Sequence, residues 1–352
     1  MAAIAIRTLH PSERGVLLDL LDLWPLADGW RGRDFFRRYV EADPTFADEN
    51  VWVASRDGRL VACAQIFPRL LRVRVGASGP TAAVPTGGIG SVFTHPEARG
   101  GGIASGLLAR CREAMRARGM ELSLLFASRH DFYRRLGWAL FEGERLLLLR
   151  GAATHGLPAG ACFDAGRDLD AVARLHAAYS SALEGTVVRD AALWRASLRC
   201  AGNPSEDFVV RRDGFGRLLA YARGCRLEGV YVLSEWARGP DAASVAALAE
   251  LVAGLMQPRD PDPLAGGDRS SAALRGLLVA PPARDHALVA ALAARGVERR
   301  SFTGRDAMLC CLDADALARR IGVARGRSEP PEAFLTRVLP PERLSFWPAD
   351  RF

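Results

Sequence analysis

The chain has 352 residues, of which 49% are hydrophobic and 25% are charged, a composition typical of a globular protein with two or three domains. The formal net charge is only +7, and because the sequence contains no lysine, all 47 basic residues are arginine and no lysine amine can take part in catalysis. The arginines are scattered and form no stripe interleaved with aromatic residues, so we predict no binding to nucleic acid.

The seven cysteines also limit the classes of function. Their number is odd and no C-x-x-C motif occurs, while the six histidines are isolated, so the sequence predicts neither a disulfide framework nor a metal site. We expect a reducing, cytoplasmic location. The apolar start of the sequence is too short for a signal peptide, and no stretch approaches the roughly 20 apolar residues that span a bilayer, so we predict no membrane association.

The first 150 residues alternate between predicted helices and strands. Two helices, over 11–24 and 33–42, precede a hairpin over 51–67 that turns at Arg56-Asp57-Gly58. The later elements predicted in this part follow in chain order: strands at 69–75 and 88–94, a helix at 103–118, a buried strand at 122–127, a helix at 131–136 and a strand at 146–149. A stretch rich in glycine, alanine and proline at 151–160 indicates a linker.

Beyond the linker the order of elements repeats. After predicted helices at 168–183 and 191–198, the segment Phe208-Val-Val-Arg-Arg-Asp-Gly is similar to Val51-Trp-Val-Ala-Ser-Arg-Asp-Gly. Two similar hairpins about 155 residues apart predict a duplicated domain. The remaining predicted elements are a helix at 242–256, a loop at 258–268, a strand at 307–312 and a helix at 314–321. We therefore expect domains at 1–150 and 161–305, and a C-terminal strand, helix and tail at 306–352.

A glycine-rich turn between the strand at 88–94 and the helix at 103–118 predicts an anion site. The first N–H groups of a helix have no internal partner, and the helix dipole is positive there. A P-loop is excluded because it needs a lysine, and a G-x-G-x-x-G fingerprint starting at Gly100 fails at Ser105. The motif that fits is R-x-x-G-x-A, formed by Arg99, Gly102 and Ala104.

Two motifs carry a resemblance to a known family. The segment Ser91-Val-Phe-Thr-His-Pro-Glu-Ala-Arg-Gly-Gly-Gly-Ile-Ala resembles the coenzyme A motif of the GNAT superfamily of N-acetyltransferases. The segment Phe132-Tyr133-Arg134-Arg135-Leu136-Gly137-Trp138 resembles the tyrosine-bearing helix of that family. The whole chain is similar to tandem-GNAT acetyltransferases of the enhanced-intracellular-survival (Eis) type. This implies an α/β (α+β) fold of two GNAT units, each a mixed, mostly antiparallel sheet flanked by helices, plus a short C-terminal segment.

The resemblance also implies roles for particular residues. Main-chain groups of Ser91, Val92 and Phe93 would contact the pantetheine arm and the thioester of acetyl-CoA, and the pyrophosphate would lie on the amides of Arg99, Gly100, Gly101, Gly102, Ile103 and Ala104. Tyr133 would protonate the leaving thiolate, since phenol and thiol have ordinary pKa values of about 10 and about 8.5.

The general base is not evident, because the segment 86–94 contains no acidic residue. In the Eis type the terminal carboxylate of the chain serves as base, and here that role would fall to Phe352, near the aromatic residues Phe346 and Trp347. The chain departs from that group after Ile321, where about thirty residues remain in place of a third domain. That departure leaves the path of the tail, and any homo-oligomer, open.

The sequence thus predicts direct acetyl transfer to a primary amine, on a small molecule or a lysine side chain, without a metal. Asp28, Trp30 and Phe35 are candidate contacts for a cationic acceptor. The domain at 161–305 carries Arg238-Gly-Pro-Asp where the first domain has its glycine loop, so we expect no coenzyme A there and a role in walling the cleft. A coenzyme A-binding sensor or scaffold with weak catalysis is the alternative, and a longer acyl group or an alcohol acceptor also remains open.

Overall fold

The structure is a computed structural model that describes residues 4–26, 31–149, 160–200, 206–227, 230–255, 277–279 and 285–352. The candidate acceptor residues Asp28 and Trp30 lie outside these ranges, as do residues 151–159 of the predicted linker and the predicted loop at 258–268.

The first half of the chain forms strands and helices in the order β-α-α-β-β-β-α-β-α-β. These elements are β1 (Ile4–Thr8), α1 (Arg14–Asp22), α2 (Gly32–Ala42), β2 (Val51–Arg56), β3 (Arg59–Arg74), β4 (Thr81–Thr94), α3 (Ile103–Ala117), β5 (Leu122–Phe126), α4 (His130–Arg134) and β6 (Ala139–Leu149). The predicted hairpin is confirmed: Asp57 and Gly58 have φ of 50° and 77°, as in a two-residue turn between antiparallel strands. Strand β1 is an addition to the predicted set.

The second half has the same order of elements within its described residues. They are β7 (Ala161–Cys162), α5 (Ala165–Ser180), α6 (Ala191–Cys200), β8 (Asp207–Arg212), β9 (Leu218–Leu227), β10 (Val230–Arg238), α7 (Ala242–Leu255), β11 (Leu277–Val279), α8 (His286–Ala294) and β12 (Glu298–Cys311). The predicted tandem fold is therefore confirmed. Two further helices, α9 (Ala314–Ile321) and α10 (Pro331–Val338), precede the C-terminal residues.

The described strands form one sheet in the order β1-β2-β3-β4-β5-β12-β6-β11-β10-β9-β8-β7. Neighbours are antiparallel except for β4–β5 and β10–β11, which are parallel. The last strand of each half lies inside the other half, because β12 pairs with both β5 and β6, and β6 also pairs with β11. The predicted boundary between residues 305 and 306 falls within β12. Only the apolar end of this strand was predicted as a strand.

Helix α3 covers the first half of the sheet with the apolar face that its sequence predicts. Its buried residues are Ile103, Leu107, Leu108, Cys111 and Met115, which pack against apolar residues of β2, β3 and β5. Full burial of a leucine-sized side chain contributes about 1.5–3 kcal/mol. This packing holds the first turn of α3 beside the end of β4, where the glycine loop lies.

Candidate active site

Strands β4 and β5 separate at the centre of the first half. Their last parallel pair is Ile89 with Leu125, and β4 then continues to Thr94 paired with β3 but no longer with β5. A β-bulge turns β4 at this point: Gly90 pairs with Gln65 and Phe93 pairs with Cys63, so that two residues of β4 face one of β3. Ser91, in the bulge, has φ of 50°, a strained value for a residue with a β-carbon, and its carbonyl accepts a hydrogen bond from the Cys63 thiol (3.2 Å).

The N-terminus of α3 lies beside this opening. Gly100 and Gly102 have φ of 84° and 73°, conformations that favour glycine, and no side chain caps the helix. A β-carbon at position 100, 101 or 102 would meet no atom within 4 Å among the described residues. Space over this loop is therefore open to a ligand, and the uncapped N–H groups and the helix dipole make that ligand an anion.

A cleft of about 810 Å³ joins the glycine loop to the strand opening. The predicted cofactor and catalytic residues that line it are Val92, Phe93, Arg99, Gly100, Gly102, Ile103, Ala104 and Tyr133. Ser91 and Gly101 lie next to lining residues without lining the cleft themselves. Two arginines that sequence reasoning missed, Arg129 and Arg135, also line it, and no carboxylate does among the described residues. The cleft is cationic and large enough for a nucleotide-sized anion.

Arg99 is held in position by a hydrogen bond to the end of β4. Its Nε donates to the carbonyl oxygen of Thr94 at 3.2 Å, so the side chain is tied to the end of β4. The charge therefore stays between the strand end and the first turn of α3, where an anion would bind.

Tyr133 lies on α4 and lines the same cleft. Its ring packs edge-on against Phe132 and Trp138, at centroid distances of 4.9 and 6.4 Å. Burial raises the pKa of the phenol, and the nearby Arg129 opposes this shift. No hydrogen-bond partner of the hydroxyl is found in the described part of the chain, so the group is available to a ligand in the cleft.

Phe352 lies against β4 beside the opening. Its ring stacks on Phe67 at 5.2 Å, and a β-carbon at Gly88 would overlap that ring. A β-carbon at Gly90 would come within 2.9 Å of the main-chain oxygen of Phe352. Gly88 and Gly90 of β4 thus leave the space that Phe352 occupies. The sequence showed small residues in this strand but did not reveal this role.

The acceptor side of the site is aromatic in its described part. Trp24, which sequence reasoning did not select, lines the cleft and lies 5.7 Å from Phe93. Phe35 packs against Phe36 and Tyr39, does not line the cleft, and has the guanidinium of Arg38 over its ring at 4.6 Å. Of these two residues, Trp24 therefore forms part of the cleft wall and Phe35 does not.

The second half has a different helix N-terminus at the equivalent position. The Asp241 carboxylate accepts hydrogen bonds from the main-chain N–H of Ser244 (2.9 Å) and from its hydroxyl (3.1 Å), so it caps α7 where an anion would otherwise bind. All described residues that line the cleft belong to the first half. The structure therefore does not support the prediction that the second domain forms a wall of the cleft.

Residues 10–141 match the family model described as an acetyltransferase (GNAT) domain. This part of the chain is a GNAT acetyltransferase domain. The predicted GNAT superfamily and the enzyme class, N-acetyltransferase, are thereby confirmed for the GNAT domain, and the likeness to the Eis type stays a prediction. Within the described ranges, no helix combines the length and the apolar character needed to cross a bilayer, and no group of three or more potential metal ligands is found.

Solved structures extend the likeness beyond the GNAT domain. A GCN5-related N-acetyltransferase from Kribbella flavida is 20% identical with a TM-score of 0.63, over 90% of this chain and 74% of that one. Eis1 from Mycobacterium abscessus is 18% identical with a TM-score of 0.58, over 90% and 76%. Saccharomyces cerevisiae N-myristoyltransferase with bound myristoyl-CoA is 13% identical with a TM-score of 0.55, over 88% and 79%. These likenesses concern the fold, and no curated protein matches the sequence.

Proposed function

We propose that the chain is an acetyl-CoA-dependent enzyme that transfers the acetyl group directly to a primary amine. The observation that carries the proposal is the uncapped N-terminus of α3, which opens with Arg99 onto a cationic cleft next to the separated strands. An acyl carrier with a diphosphate fits this charge and shape. The GNAT match supports acyl transfer in general, and acetyl is the simplest acyl group for the proposal.

The residues around the cleft suit each step of the transfer. The main-chain N–H of Val92, beyond the last β4–β5 pair, is proposed to donate to the thioester oxygen as negative charge builds there. The amine nitrogen forms a bond to the acetyl carbon while the carbon–sulfur bond breaks. The proton that the amine loses passes to the base, and the thiolate takes a proton from Tyr133.

Binding of acetyl-CoA is tested by calorimetric titration of the purified protein. We expect one equivalent to bind, and we expect Gly102→Glu to abolish binding, because it places a carboxylate at the N-terminus of α3 and a side chain at φ of 73°. Gly15→Ala, at a position with no neighbour within 4 Å of a new β-carbon, is the matched control and should bind normally. Unchanged affinity of the Gly102→Glu variant would reject the assignment of the loop.

The proposed base is the terminal carboxylate of Phe352, whose main chain lies against Gly90. Deletion of Phe352 should lower kcat by about a hundredfold, the typical contribution of a general base, and leave the affinity for acetyl-CoA unchanged. Thiol release with a panel of amines measures kcat, and intact-mass spectrometry first establishes that the purified chain ends at Phe352. Full activity of the deletion variant would return the residue to a structural role.

A catalytically weak coenzyme A-binding sensor or scaffold is the second candidate. The lack of any carboxylate side chain among the described residues of the cleft favours it. The two candidates differ in one measurement: a pure binder is thermally stabilised by acetyl-CoA but releases no thiol with any amine. Competition among acyl-CoA chain lengths and alcohol acceptors separates an enzyme for acetyl groups and amines from other acyltransferases.

A further inference from the structure

A buried ion cluster in the second half connects to the C-terminal residues. Arg189, in the connection between α5 and α6, binds two carboxylates: its Nε lies 2.6 Å from Oδ1 of Asp350, and its Nη2 contacts Glu235. The side chains of Arg189, Glu235 and Asp350 are only 1%, 0% and 7% exposed. The guanidinium also lies 4.6 Å over the ring of Trp194, so its orientation is set from three sides.

The cluster is built into the core of the second half on its Glu235 side. Glu235 lies on β10 and accepts a hydrogen bond from the Tyr221 hydroxyl at 2.7 Å. His176 of α5 lies 2.8 Å from the same hydroxyl. Arg189 is therefore held from the sheet and α5 on this side, whereas its other partner, Asp350, belongs to residues 339–352, the C-terminal segment that follows α10.

The connection that carries Arg189 lies between the C-terminal segment and the GNAT domain. Its main chain bonds to β3, with the N–H of Val188 donating to the carbonyl of Leu70 (2.8 Å) and that of Gly185 donating to the carbonyl of Arg72 (2.7 Å). On its other side, the N–H of Ser345 donates to the carbonyl of Glu184 at 2.6 Å. The position of Arg189 relative to the site is thus fixed by backbone hydrogen bonds.

Two residues separate Asp350 from the end of the sequence, so the ion pair limits where Phe352 can lie. Two extended residues span at most about 7 Å. The Phe352 ring and main chain lie at Gly88 and Gly90, in the space that these glycines leave open. Farther back, Trp347 is buried against Trp236 of the second half at 4.6 Å. The segment therefore runs from the core of the second half into the site of the first.

A buried ion pair contributes little net stability, because desolvation of both charges offsets their attraction. Its contribution here is geometric. We propose that Arg189 is a positioning residue that, through Asp350, holds Phe352 against β4 at the opening of the GNAT domain. The second half would then serve the reaction by placing the C-terminal residue. This inference rests on the proposed function for its effect on catalysis, but the docking of Phe352 can be tested without any activity.

Asp350→Asn is the cleanest variant, because Arg189 keeps Glu235 as a partner and no buried charge is left alone. We expect carboxypeptidase A to release Phe352 at least about tenfold faster from this variant than from the native chain, as followed by mass spectrometry. Arg211→Gln, which removes an ion pair with Glu250 elsewhere in the second half, is the control and should release at the native rate. Release at the native rate from folded Asp350→Asn, judged by circular dichroism, would overturn the proposal.

Kinetics give the second readout. Asp350→Asn should lower kcat by about tenfold to a hundredfold through misplacement of the base, while the KM for acetyl-CoA stays unchanged. Arg189→Lys keeps the charge and should recover part of the loss of an Arg189→Gln variant. Equal loss of kcat and acetyl-CoA binding would show a general structural defect and overturn the positioning role. If the native chain transfers no acetyl group while Phe352 release still rises, the proposed function fails and the docking of Phe352 stands.

Discussion

Tyr133 lies on α4 in the cleft, where its surroundings favour the protonated phenol. Tyr133 is held among Phe132 and Trp138, and burial raises its pKa, so the phenol carries its proton at neutral pH. A proton donor to a thiolate requires this state. The hydroxyl has no hydrogen-bond partner in the described part of the chain, so its removal costs little structure.

Replacement of Tyr133 by phenylalanine tests the proton-donor role. We expect Tyr133→Phe to lower kcat by about a hundredfold, because the thiolate must leave without a donor. The dissociation constant of acetyl-CoA should stay unchanged, since the aromatic packing remains. Thiol-release assays give kcat and calorimetry gives the affinity. Tyr231→Phe is the control and should keep full activity, because Tyr231 lies on β10 and does not line the cleft. A Tyr133→Phe variant with native kcat would exclude the phenol as acid.

Two helices with the same place in the two halves differ at their first turns. The N-terminus of α3 has glycines with positive φ and no side-chain cap, whereas α7 begins with Asp241, which accepts two hydrogen bonds from Ser244. Asp241 also contacts Arg217 at 3.3 Å. The same element is thus open to an anion in one half and closed by an internal carboxylate in the other, so we expect a single coenzyme A site per chain.

The closed state of α7 is tested by Asp241→Ala. The variant loses its N-cap, so its thermal unfolding temperature should fall by a few degrees. Calorimetric stoichiometry should remain one acetyl-CoA per chain, because Pro240 and the lack of a glycine loop still prevent a second site. A native unfolding temperature would show that the cap contributes nothing, and a second bound equivalent would refute the assignment of α7 as a helix that binds no anion.

At the scale of the whole molecule, exchange of the last strands joins the two halves, and buried ion contacts fix the position of the residues near the C-terminus. Burial lowers the pKa of His176 to about 3, with the opposing effect of Glu235 outweighed. Burial alone would raise the pKa of Glu235, but Arg189 and its neighbours hold it at about 2. In the folded chain His176 therefore stays neutral and Glu235 stays charged well below neutral pH.

Stability should fall as the solution is acidified. Below a pH of about 6.5 the unfolded chain protonates His176 while the folded chain does not, so stability is lost progressively between about pH 6.5 and 3, at most about 1.4 kcal/mol per pH unit for one proton. Glu235 adds to the loss below about pH 4.5. Urea unfolding between pH 8 and 4.5 measures the slope. His176→Gln should flatten it, whereas the exposed His286→Gln should not, and an unchanged slope in the first variant would assign the acid sensitivity to other groups.

Local sequence pattern determined much of this protein. The buried face of α3, the Asp57-Gly58 hairpin, the glycine loop and the duplicated order of elements all depend on residues close together in the chain, whose side-chain spacing and allowed φ are set locally. From these residues the GNAT fold could be predicted, and so could the glycine loop that lines the cleft.

Only the tertiary structure decided how the two halves are joined. The placement of β12 between β5 and β6, the space for Phe352 at Gly88, and the contact of Arg189 with Asp350, 161 residues later, have no local signal. Strand pairing and buried ion contacts of this kind depend on which distant residues meet when the sheet forms. A short stretch of sequence is compatible with many such partners. The sequence therefore determines the elements and the glycine loop, and the pairing of distant strands determines which remote side chains lie near the cleft.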